Sequence, residues 1–370
     1  MENKFLIIDN GSGFCKAGFS GEPEPKVISP FVVGRSRDSS VAIKEEPKDL
    51  LFGQEALDHE KDYELIRPIK KGLIDDWDYM ELYWDNLFKN ELKVDPSEHG
   101  VLVIETPLTP LSHREKLIKL LFEHFKVPSL IINNSATLTF YAINTFSGVI
   151  IDSGYDHTMF VPVRNGFPFV NKTHQLDIGG KDISEYLQFL LKKKGIENVP
   201  NIDKIKEDYC FVSDCEEPDK EKVEEVSVEL PDKTILKLKE ERYRATELFY
   251  HPERIRKELG GIGRKLFNTL YDIDHYLKRE LRGPIVLAGG NTLFKGFEER
   301  LTLETKYHDI NSFFKNRIKM HATQDRQYIQ WLGGSIFSLI SVFPNLCTTK
   351  AEFDECGPSA VSDRCFYNTK

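Results

Sequence analysis

The chain has 370 residues and a formal net charge of −9 at pH 7, so it is long enough for two globular lobes with separate cores. The acidic balance argues against general nucleic-acid binding, because phosphate contacts need a basic surface. The six cysteines include no CxxC pair, which disfavours structural zinc and favours free thiols in a reducing compartment.

Neither end of the sequence favours export or membrane insertion. A buried strand is predicted from Phe5, which leaves no room before it for a signal or transit peptide. The apolar stretch GSIFSLISVF at residues 334–343 is far shorter than the roughly 20 residues of a membrane-spanning helix. We therefore expect a cytoplasmic protein.

Strand-like and helix-like segments alternate along the chain, which is typical of an α/β fold. The first strand runs into Asp9 and a turn of small residues. The segment VLVIET at residues 101–106 predicts a buried strand, and Ser112 with Glu115 predicts a capping box at the start of the next helix.

The later elements continue this alternation. Residues 129–133 predict a strand and residues 135–144 a helix. Asp182 is the predicted start of a further helix and Gly195 its end. Residues 214–240 predict an exposed hairpin.

The opening motif occurs twice. FLIIDNGSGFCKAGF, from Phe5, and VIIDSGYDHTMFVPV, from Val149, both consist of a strand, an aspartate, a small-residue turn and a second strand. Small residues let backbone N–H groups form a concave anion site, and the aspartate offers a hard oxygen ligand for Mg²⁺. The first turn matches neither the Walker loop nor GxGxxG. With two more glycine turns, after Leu176 and Ile285, the pattern predicts hairpins that hold a triphosphate, with Lys16 neutralising phosphate charge.

Long strings of the sequence resemble actin and the actin-related proteins, from about Phe5 to Phe366. They include IDNGSGFCKAGFSGE, LIDDWDYMELYWDNLFKNEL, LDIGGKDISEYL, VLAGGNTLFKGFEERL and WLGGSIFSLISVF. The resemblance implies an α/β, two-lobed fold with ATP or ADP and Mg²⁺ or Ca²⁺ in the cleft. Each lobe would have a ribonuclease-H-like core and an inserted subdomain. The implied limits are residues 1–142 and 330–370 for the first lobe, about 32–67 for its insertion, 143–329 for the second lobe and about 179–261 for its insertion.

The resemblance also implies roles for individual residues. Asp9 and Asp152 match the pair that holds the metal through water. At Gln327 the family usually has a lysine beside the adenine, so nucleotide affinity should be modestly weaker. The other positions that match cofactor contacts are Ser12, Gly13, Phe14, Lys16, Tyr155, Asp156, His157, Gly180, Lys206, Glu207, Gly290, Asn291, Leu293 and Phe294.

Two departures from the family pattern concern catalysis. The family's water-orienting glutamine and histidine align with Ser135 and Met159. A serine hydroxyl is too short for that role, and a thioether is neither a base nor a strong acceptor. Because water positioning supplies most of an ATPase's catalysis, we expect slow or absent hydrolysis, with Asp152 as the remaining catalytic group. A one-residue shift of the second hairpin would instead turn Asp156 and His157 inward.

Two surfaces are implied to bind partners. The loop at residues 38–49 matches the family's filament contact, and its charged part opposes copolymerisation with ordinary actin. A groove for the helices of actin-binding proteins matches Tyr141, Gly166, Phe167, Phe337 and Leu346.

The sequence therefore predicts a cytoskeletal protein that assembles into filaments, or into a complex, with itself or with other actin-family subunits. One alternative is a structural subunit that never polymerises alone. Another is a small-molecule kinase of the same superfamily, which would need a catalytic carboxylate beside a substrate pocket. A chaperone ATPase is disfavoured because no substrate-binding β domain follows. The lack of large insertions favours a compact member, such as a divergent actin or a dynactin-type actin-related protein.

Overall fold

The computed structural model describes residues 4–37, 50–197, 199–216, 218–219, 221, 223–231, 233–255, 260–273, 284–308, 319–362 and 364. The predicted filament-contact loop at residues 38–49 lies outside the described residues. The chain divides into two compact units. Unit 1 consists of Met1–Phe146, Asn165–Val170 and Tyr328–Lys370, and unit 2 of Ser147–Arg164 and Asn171–Gln327. The lobe and subdomain limits given above stay predictions.

The described residues form strands and helices in alternation. The strands are β1 (Leu6–Asn10), β2 (Phe14–Phe19), β3 (Val27–Pro30), β4 (Val33–Ser36), β5 (Leu50–Phe52), β6 (Tyr63–Ile66), β7 (Ile69–Lys70), β8 (Leu73–Ile74), β9 (Val101–Glu105), β10 (Ser129–Asn134), β11 (Gly148–Ser153), β12 (Thr158–Arg164), β13 (Phe167–Pro168), β14 (His174–Leu176), β15 (Val226–Glu229), β16 (Ile235–Leu238), β17 (Ile285–Ala288), β18 (Met320–His321) and β19 (Thr348–Thr349).

The α-helices are α1 (Gly53–Asp58), α2 (Trp77–Asn86), α3 (Leu111–Lys119), α4 (Ser135–Ala142), α5 (Gly180–Lys193), α6 (Ile202–Tyr209), α7 (Glu241–Arg244), α8 (Ile262–Asp272), α9 (Phe297–His308), α10 (Ile329–Phe337), α11 (Phe343–Leu346), α12 (Lys350–Cys356) and α13 (Ser359–Ser362). Short π-helical turns continue α2 and α3 at Leu87–Leu92 and Leu120–His124. Short 3₁₀ turns lie at Pro96–Glu98, Val170–Lys172, Thr246–Phe249, Pro252–Ile255 and Gly290–Leu293.

The main sheet of unit 1 has the strand order β19–β10–β9–β1–β2–β3. Strand β1 pairs antiparallel with β2 and parallel with β9, which pairs parallel with β10. Both faces of the sheet are buried, which explains the continuous apolar runs of its strands. Leu6 and Ile8 face a core that contains Trp84, and Ile7 faces a second core with Trp331 and Phe337. Polar side chains therefore concentrate at the strand ends.

The sheet of unit 2 repeats this plan in the order β14–β12–β11–β17–β18. Strand β11 pairs antiparallel with β12 and parallel with β17, which pairs parallel with β18. The same order and directions hold for β3–β2–β1–β9–β10 of unit 1. The α/β fold class and the internal repeat of the opening motif are confirmed.

Among the smaller predictions, the strands at residues 101–106 and 129–133, the helix from Ser135 and the hairpin within residues 214–240 are confirmed. The capping box of Ser112 and Glu115 is wrong. Helix α3 begins one residue before Ser112, directly after the extended Pro110, and no side chain caps it. No helix among the described residues is long and apolar enough to cross a membrane.

The boundaries predicted for α5 are half right. The helix begins two residues before Asp182, which lies in its first turn and accepts a hydrogen bond from the Gly179 N–H at 3.0 Å. The aspartate thus caps the helix from inside. Gly195 follows the last turn at φ +82°, a conformation that favours glycine and ends the helix as predicted.

Candidate functional site

The first hairpin of unit 1 joins a carboxylate and an ammonium at the strand end. Asp9 of β1 lies opposite Lys16 of β2, and the lysine Nζ donates to Asp9 Oδ2 at 3.0 Å. The side chain of Asp9 is only 12 % exposed, so the partner's charge compensates much of the cost of its burial. Two residues that were predicted to bind a metal and a phosphate, Asp9 and Lys16, are thus in direct contact in the structure.

The turn between these strands is held by its neighbours. The Gly72 N–H donates to Ser12 Oγ at 3.2 Å, and the Phe31 N–H donates to the Gly13 carbonyl at 2.8 Å. Arg67 also donates to the Gly13 carbonyl, at 3.4 Å. Ser12 and Gly13 are buried, whereas Phe14 is exposed. These contacts fix the backbone of the turn before any ligand binds.

The second hairpin, in unit 2, has Met159 opposite Asp152 and Thr158 opposite Ser153. The strands are not shifted by one residue, so Asp156 and His157 lie in the turn and the alternative register is wrong. Met159 is 3 % exposed and shares the sheet face of Asp152, because paired residues of an antiparallel ladder point to one side.

Other loops of unit 2 support the turn of the second hairpin. The Asn291 side-chain NH₂ donates to Ser153 Oγ at 3.1 Å and to the Gly154 carbonyl at 2.5 Å. The Gly180 N–H, at the start of α5, donates to the Gly154 carbonyl at 3.0 Å. The Lys181 N–H donates to the Tyr155 carbonyl at 2.8 Å. Predicted cofactor residues from three separate stretches therefore meet at this turn.

Gly289, which was not predicted from the sequence, makes this approach possible. It has φ +86°, and a Cβ there would lie 2.3 Å from the Ser153 carbonyl oxygen and 2.8 Å from Asp152 Oδ1. Only glycine fits such a position. The predicted residue was Gly290, where an added Cβ would meet nothing within 4 Å. Two consecutive glycines after a buried strand indicate a close backbone approach, and this pattern could have identified Gly289 from the sequence.

A second polar cluster surrounds Gly180. Lys206 Nζ donates to the Gly180 carbonyl at 3.2 Å and to Asp203 Oδ1 at 3.0 Å. Ser184 Oγ donates to the same Asp203 oxygen at 2.5 Å. Gly180 and Lys206 were predicted from the sequence, whereas Ser184 and Asp203 were not, because they lie at single positions on two helices and form no motif.

The remaining predicted site residues have varied surroundings. Ser135 is the first residue of α4 in unit 1, and Asn134 caps that helix by accepting from the Ala136 N–H at 2.8 Å. Phe294 is buried, with its ring 6.3 Å from that of Phe249. The exposed members are Glu207, Gly290, Leu293 and Gln327. Their predicted contacts with a nucleotide stay predictions.

No group of three or more His, Cys, Asp or Glu side chains that could hold a metal is found in the described part of the chain. Single carboxylates do fit a metal that keeps most of its water and bridges to phosphates, since Mg²⁺ is commonly bound in this way. Asp9 and Asp152, each at the end of its strand, are residues of this kind. Their assignment to a metal stays a prediction.

The predicted partner groove lies within unit 1. The Tyr141 ring is 5.0 Å from that of Phe337 and 5.6 Å from that of Phe146. Thr137 Oγ1 donates to the Gly166 carbonyl at 2.7 Å. Phe167 is exposed, whereas Phe337 is buried in the core below and does not line the surface. Leu346 is half-buried against the same core.

The fold and the repeated hairpins define a class of α/β protein in which two units carry one sheet plan, each with an aspartate at the end of a central strand. The family model described as Actin matches residues 1–203 and 201–366, which is nearly the whole chain. The chain belongs to the actin family, and the resemblance of its sequence is confirmed.

Proposed function

We propose that this protein binds ATP or ADP with Mg²⁺ or Ca²⁺ through its two aspartate-ended hairpins. The observation that carries this proposal is the same hairpin at the same place in both sheets, with Asp9 and Asp152 at equivalent positions. The carboxylates suit a hydrated divalent cation. Backbone N–H groups of the small-residue turns and the Lys16 ammonium suit phosphate oxygens. Bound ATP would supply the transferable γ-phosphoryl group.

Hydrolysis would be slow in this protein. The position opposite Asp152 is a buried thioether, and the resemblance aligns Ser135 with the family's water-orienting glutamine. Neither side chain can orient a water and accept its proton as an amide and an imidazole can. With Asp152 alone, the attacking water has no second group to orient it. The loss of this positioning lowers the rate of hydrolysis and leaves the affinity for the nucleotide unchanged.

The test compares phosphate release from the purified protein with that from the double variant Ser135→Gln, Met159→His. The double variant should release phosphate at least about tenfold faster, because it restores two groups able to position water. Asp152→Ala in the double variant should remove the gain. A wild-type rate equal to that of ordinary actin, abolished by Asp152→Ala, would disprove slow hydrolysis. Failure of calorimetry to detect ATP binding would disprove the proposal as a whole.

We further propose that the protein assembles with copies of itself or with other actin-family subunits of the cytoskeleton. The half-buried and exposed aromatic side chains of Tyr141, Phe146 and Phe167 offer a site for the apolar face of a partner's helix. Neither nucleic acid nor a membrane is proposed as a partner.

Sedimentation with MgATP separates the forms of assembly. A self-assembling protein pellets above a threshold concentration, whereas a subunit that requires other chains stays in the supernatant. The variant Phe167→Asp should then weaken binding of an amphipathic actin-binding helix by at least about tenfold. Phe189→Asp, an exposed aromatic in unit 2, is the matched control and should leave that binding unchanged.

A further inference from the structure

Strand β10 ends in two asparagines whose side chains are buried. Asn133 and Asn134 are both 0 % exposed. The backbone N–H of Asn134 donates to Asn133 Oδ1 at 2.7 Å. The backbone N–H groups of Ala136 and Thr137 donate to Asn134 Oδ1, at 2.8 and 3.4 Å. A backbone N–H can only donate, so these contacts identify the oxygen of each amide and place its NH₂ group on the other side.

The two NH₂ groups have no hydrogen-bond partner among the described residues. A buried donor without a partner destabilises the fold, and native proteins rarely keep one unless it serves water or a ligand. The partner of an NH₂ group must be an acceptor. Each asparagine is therefore a candidate for binding an oxygen atom of a ligand, and their positions in the sheet distinguish them.

Asn133 shares a face of the sheet with Asp9, the proposed metal ligand of unit 1. Ile7 and Ile131 both face the second core of this unit. Asp9 and Asn133 lie two residues further along the same strands and therefore point to that face. The register agrees, because each of them is paired with Ile104 of the strand between them. Asn133 thus lies about 10 Å from Asp9 across the sheet, since neighbouring strands are about 4.8 Å apart.

Asn134 lies on the opposite face. Ile132, two residues before it, faces the core that contains Trp84, and Asn134 is paired with Glu105 of β9. Both carboxylate oxygens of Glu105 accept hydrogen bonds from Arg114. Asn134 itself caps helix α4. The polar groups at the end of β10 therefore have a structural role on this face, whereas on the other face Asn133 accompanies Asp9.

The end of β10 suits the terminal phosphate of a nucleotide. The carboxyl ends of β1, β9 and β10 form one edge of the sheet, because the three strands are parallel, and ligands of α/β sheets bind at such an edge. The proposed metal at Asp9 would bridge the β- and γ-phosphates. Ser135, which the resemblance aligns with the residue that orients the water for attack on the γ-phosphate, follows β10 directly.

The amide of Asn133 has the chemistry to bind a phosphate oxygen rather than the attacking water. Its NH₂ group is a donor, and hydrogen bonds to charged acceptors are stronger than those between neutral groups. Orienting the water for attack needs an acceptor, but Asn133 Oδ1 already accepts from the backbone N–H of Asn134. Asn133 would therefore strengthen the binding of ATP and leave its hydrolysis slow.

We propose that Asn133 is a phosphate-binding residue: its NH₂ group donates to an oxygen of the γ-phosphate, so that the protein binds ATP more tightly than ADP. This inference rests on the proposed binding of nucleotide. It adds to that site a residue that neither the internal repeat nor the family resemblance indicated.

The variant Asn133→Ala removes the donor and adds no charge. Calorimetry should show that the non-cleavable β,γ-imido analogue of ATP, with Mg²⁺, binds to it about tenfold more weakly than to the wild type, because a hydrogen bond to a charged oxygen is lost. MgADP, which has no γ-phosphate, should bind within about twofold of its wild-type affinity. The ratio of the two affinities is the readout, since a merely structural loss would lower both.

The matched control is Asn134→Ala, the same truncation of an equally buried asparagine on the opposite face of β10. It removes the cap of α4 and should lower the melting temperature, yet it should leave the ratio of affinities within about twofold of the wild type. Thermal unfolding of the unliganded variants shows whether each of them folds. If Asn133→Ala does not fold, Asn133→Ser decides the test, because its hydroxyl is too short to replace the amide donor.

Three results would overturn the assignment. The first is an unchanged ratio of affinities in Asn133→Ala, which is expected if the amide binds only a buried water. The second is an equal fall of that ratio in Asn134→Ala, because the effect would then come from the end of the strand as a whole. The third is a wild-type protein that binds neither ligand, and this result alone would also remove the proposed function.

Discussion

The two hairpins share one backbone plan and differ in the residue that lies opposite the aspartate. In unit 1 that residue is Lys16, whose ammonium is 3.0 Å from Asp9. In unit 2 it is the buried Met159, opposite Asp152. Sheet topology and strand-end carboxylates are thus repeated, whereas the residue paired with the aspartate across the hairpin is charged in unit 1 and apolar in unit 2. Backbone geometry and side-chain chemistry can therefore vary independently within this fold.

The units also differ in how they bury an arginine–glutamate pair. In unit 1, Arg114 Nε donates to both oxygens of Glu105, at 2.9 and 3.2 Å, and Arg114 Nη2 makes a further bond to Oε1. In unit 2, Arg300 Nη1 is 3.3 Å from Glu247 Oε1, and the arginine is shared with Glu304 at 2.7 Å. No partner for Glu247 Oε2 is found among the described residues. Burial accordingly raises the pKa of Glu247 to about 7, although Arg300, Arg254 and His251 oppose this shift and Glu216 adds to it.

The largest expected effect concerns the loop beside Asp152. In Gly289→Ala the new Cβ clashes with the backbone of the second hairpin, and φ is positive. Unfolding free energy should fall by about 4 kcal/mol, as for overpacking at a strained position. Gly290→Ala, with no atom within 4 Å of its Cβ, should cost less than about 1 kcal/mol. Urea denaturation measures both, and equal losses would show that the close approach to Asp152 is unimportant.

The next effect separates the two buried pairs. At pH 8, Glu105→Gln should lower the unfolding free energy by about 3 kcal/mol, because it removes the buried carboxylate that accepts three hydrogen bonds from Arg114. Glu247→Gln should instead raise it by about 2 kcal/mol, because Arg300 keeps Glu304 and the poorly solvated carboxylate is removed. Denaturant titrations of both variants provide the comparison. A larger loss of unfolding free energy in Glu247→Gln than in Glu105→Gln would mean that the number and geometry of the hydrogen bonds do not determine how much each pair stabilises the fold.

The third effect is the part of the pH dependence of stability that Glu247 contributes. Its pKa in the folded protein is about 7, against an ordinary value of 4.5, so the folded state binds this proton more tightly. The stability that it contributes is therefore complete below pH 4.5 and is lost as pH rises towards 7. The wild type should lose about 2 kcal/mol relative to Glu247→Gln over this interval. The exposed variant Glu299→Gln is the control, and a pH-independent difference between wild type and Glu247→Gln would contradict the assignment.

The smallest effect on stability comes from making the first hairpin resemble the second. Lys16→Met should cost about 1.5 kcal/mol of folding free energy, because it leaves the Asp9 carboxylate, whose side chain is 12 % exposed, without its charged neighbour and with little access to water. It should weaken MgATP binding at least about tenfold, because phosphate loses a charged donor. Lys4→Met, at a lysine that is 57 % exposed, should affect neither. If Lys16→Met bound ATP as tightly as the wild type, the lysine would not contribute to nucleotide binding, and the difference between the two hairpins would have no effect on function.

The fold and the strand-end carboxylates were predictable because they depend on local patterns. Runs of apolar residues predict the buried strands, and the aspartates that end these runs, Asp9 and Asp152, mark where each strand ends with a polar side chain. The pairing of Asp152 with Met159 needed the structure, since a turn of this length permits two registers.

The supporting contacts were not predictable from single positions. Which of Gly289 and Gly290 approaches the hairpin is decided by the path of the whole loop. Ser184 and Asp203 meet only because α5 and α6 pack together, and neither residue carries a motif. The predicted cap at Ser112 failed because Pro110, already extended, lets the helix start earlier.

The indole N–H of Trp331 donates to the carbonyl of Ile7 at 3.0 Å, across 324 positions of the chain. The amino-terminal strands therefore leave the ribosome long before α10, which covers one of their apolar faces, has been synthesised. A nascent chain exposes that face throughout elongation, and contacts so distant in sequence close slowly. Chains truncated before Trp331 should consequently aggregate, and productive folding should depend on shielding until translation ends.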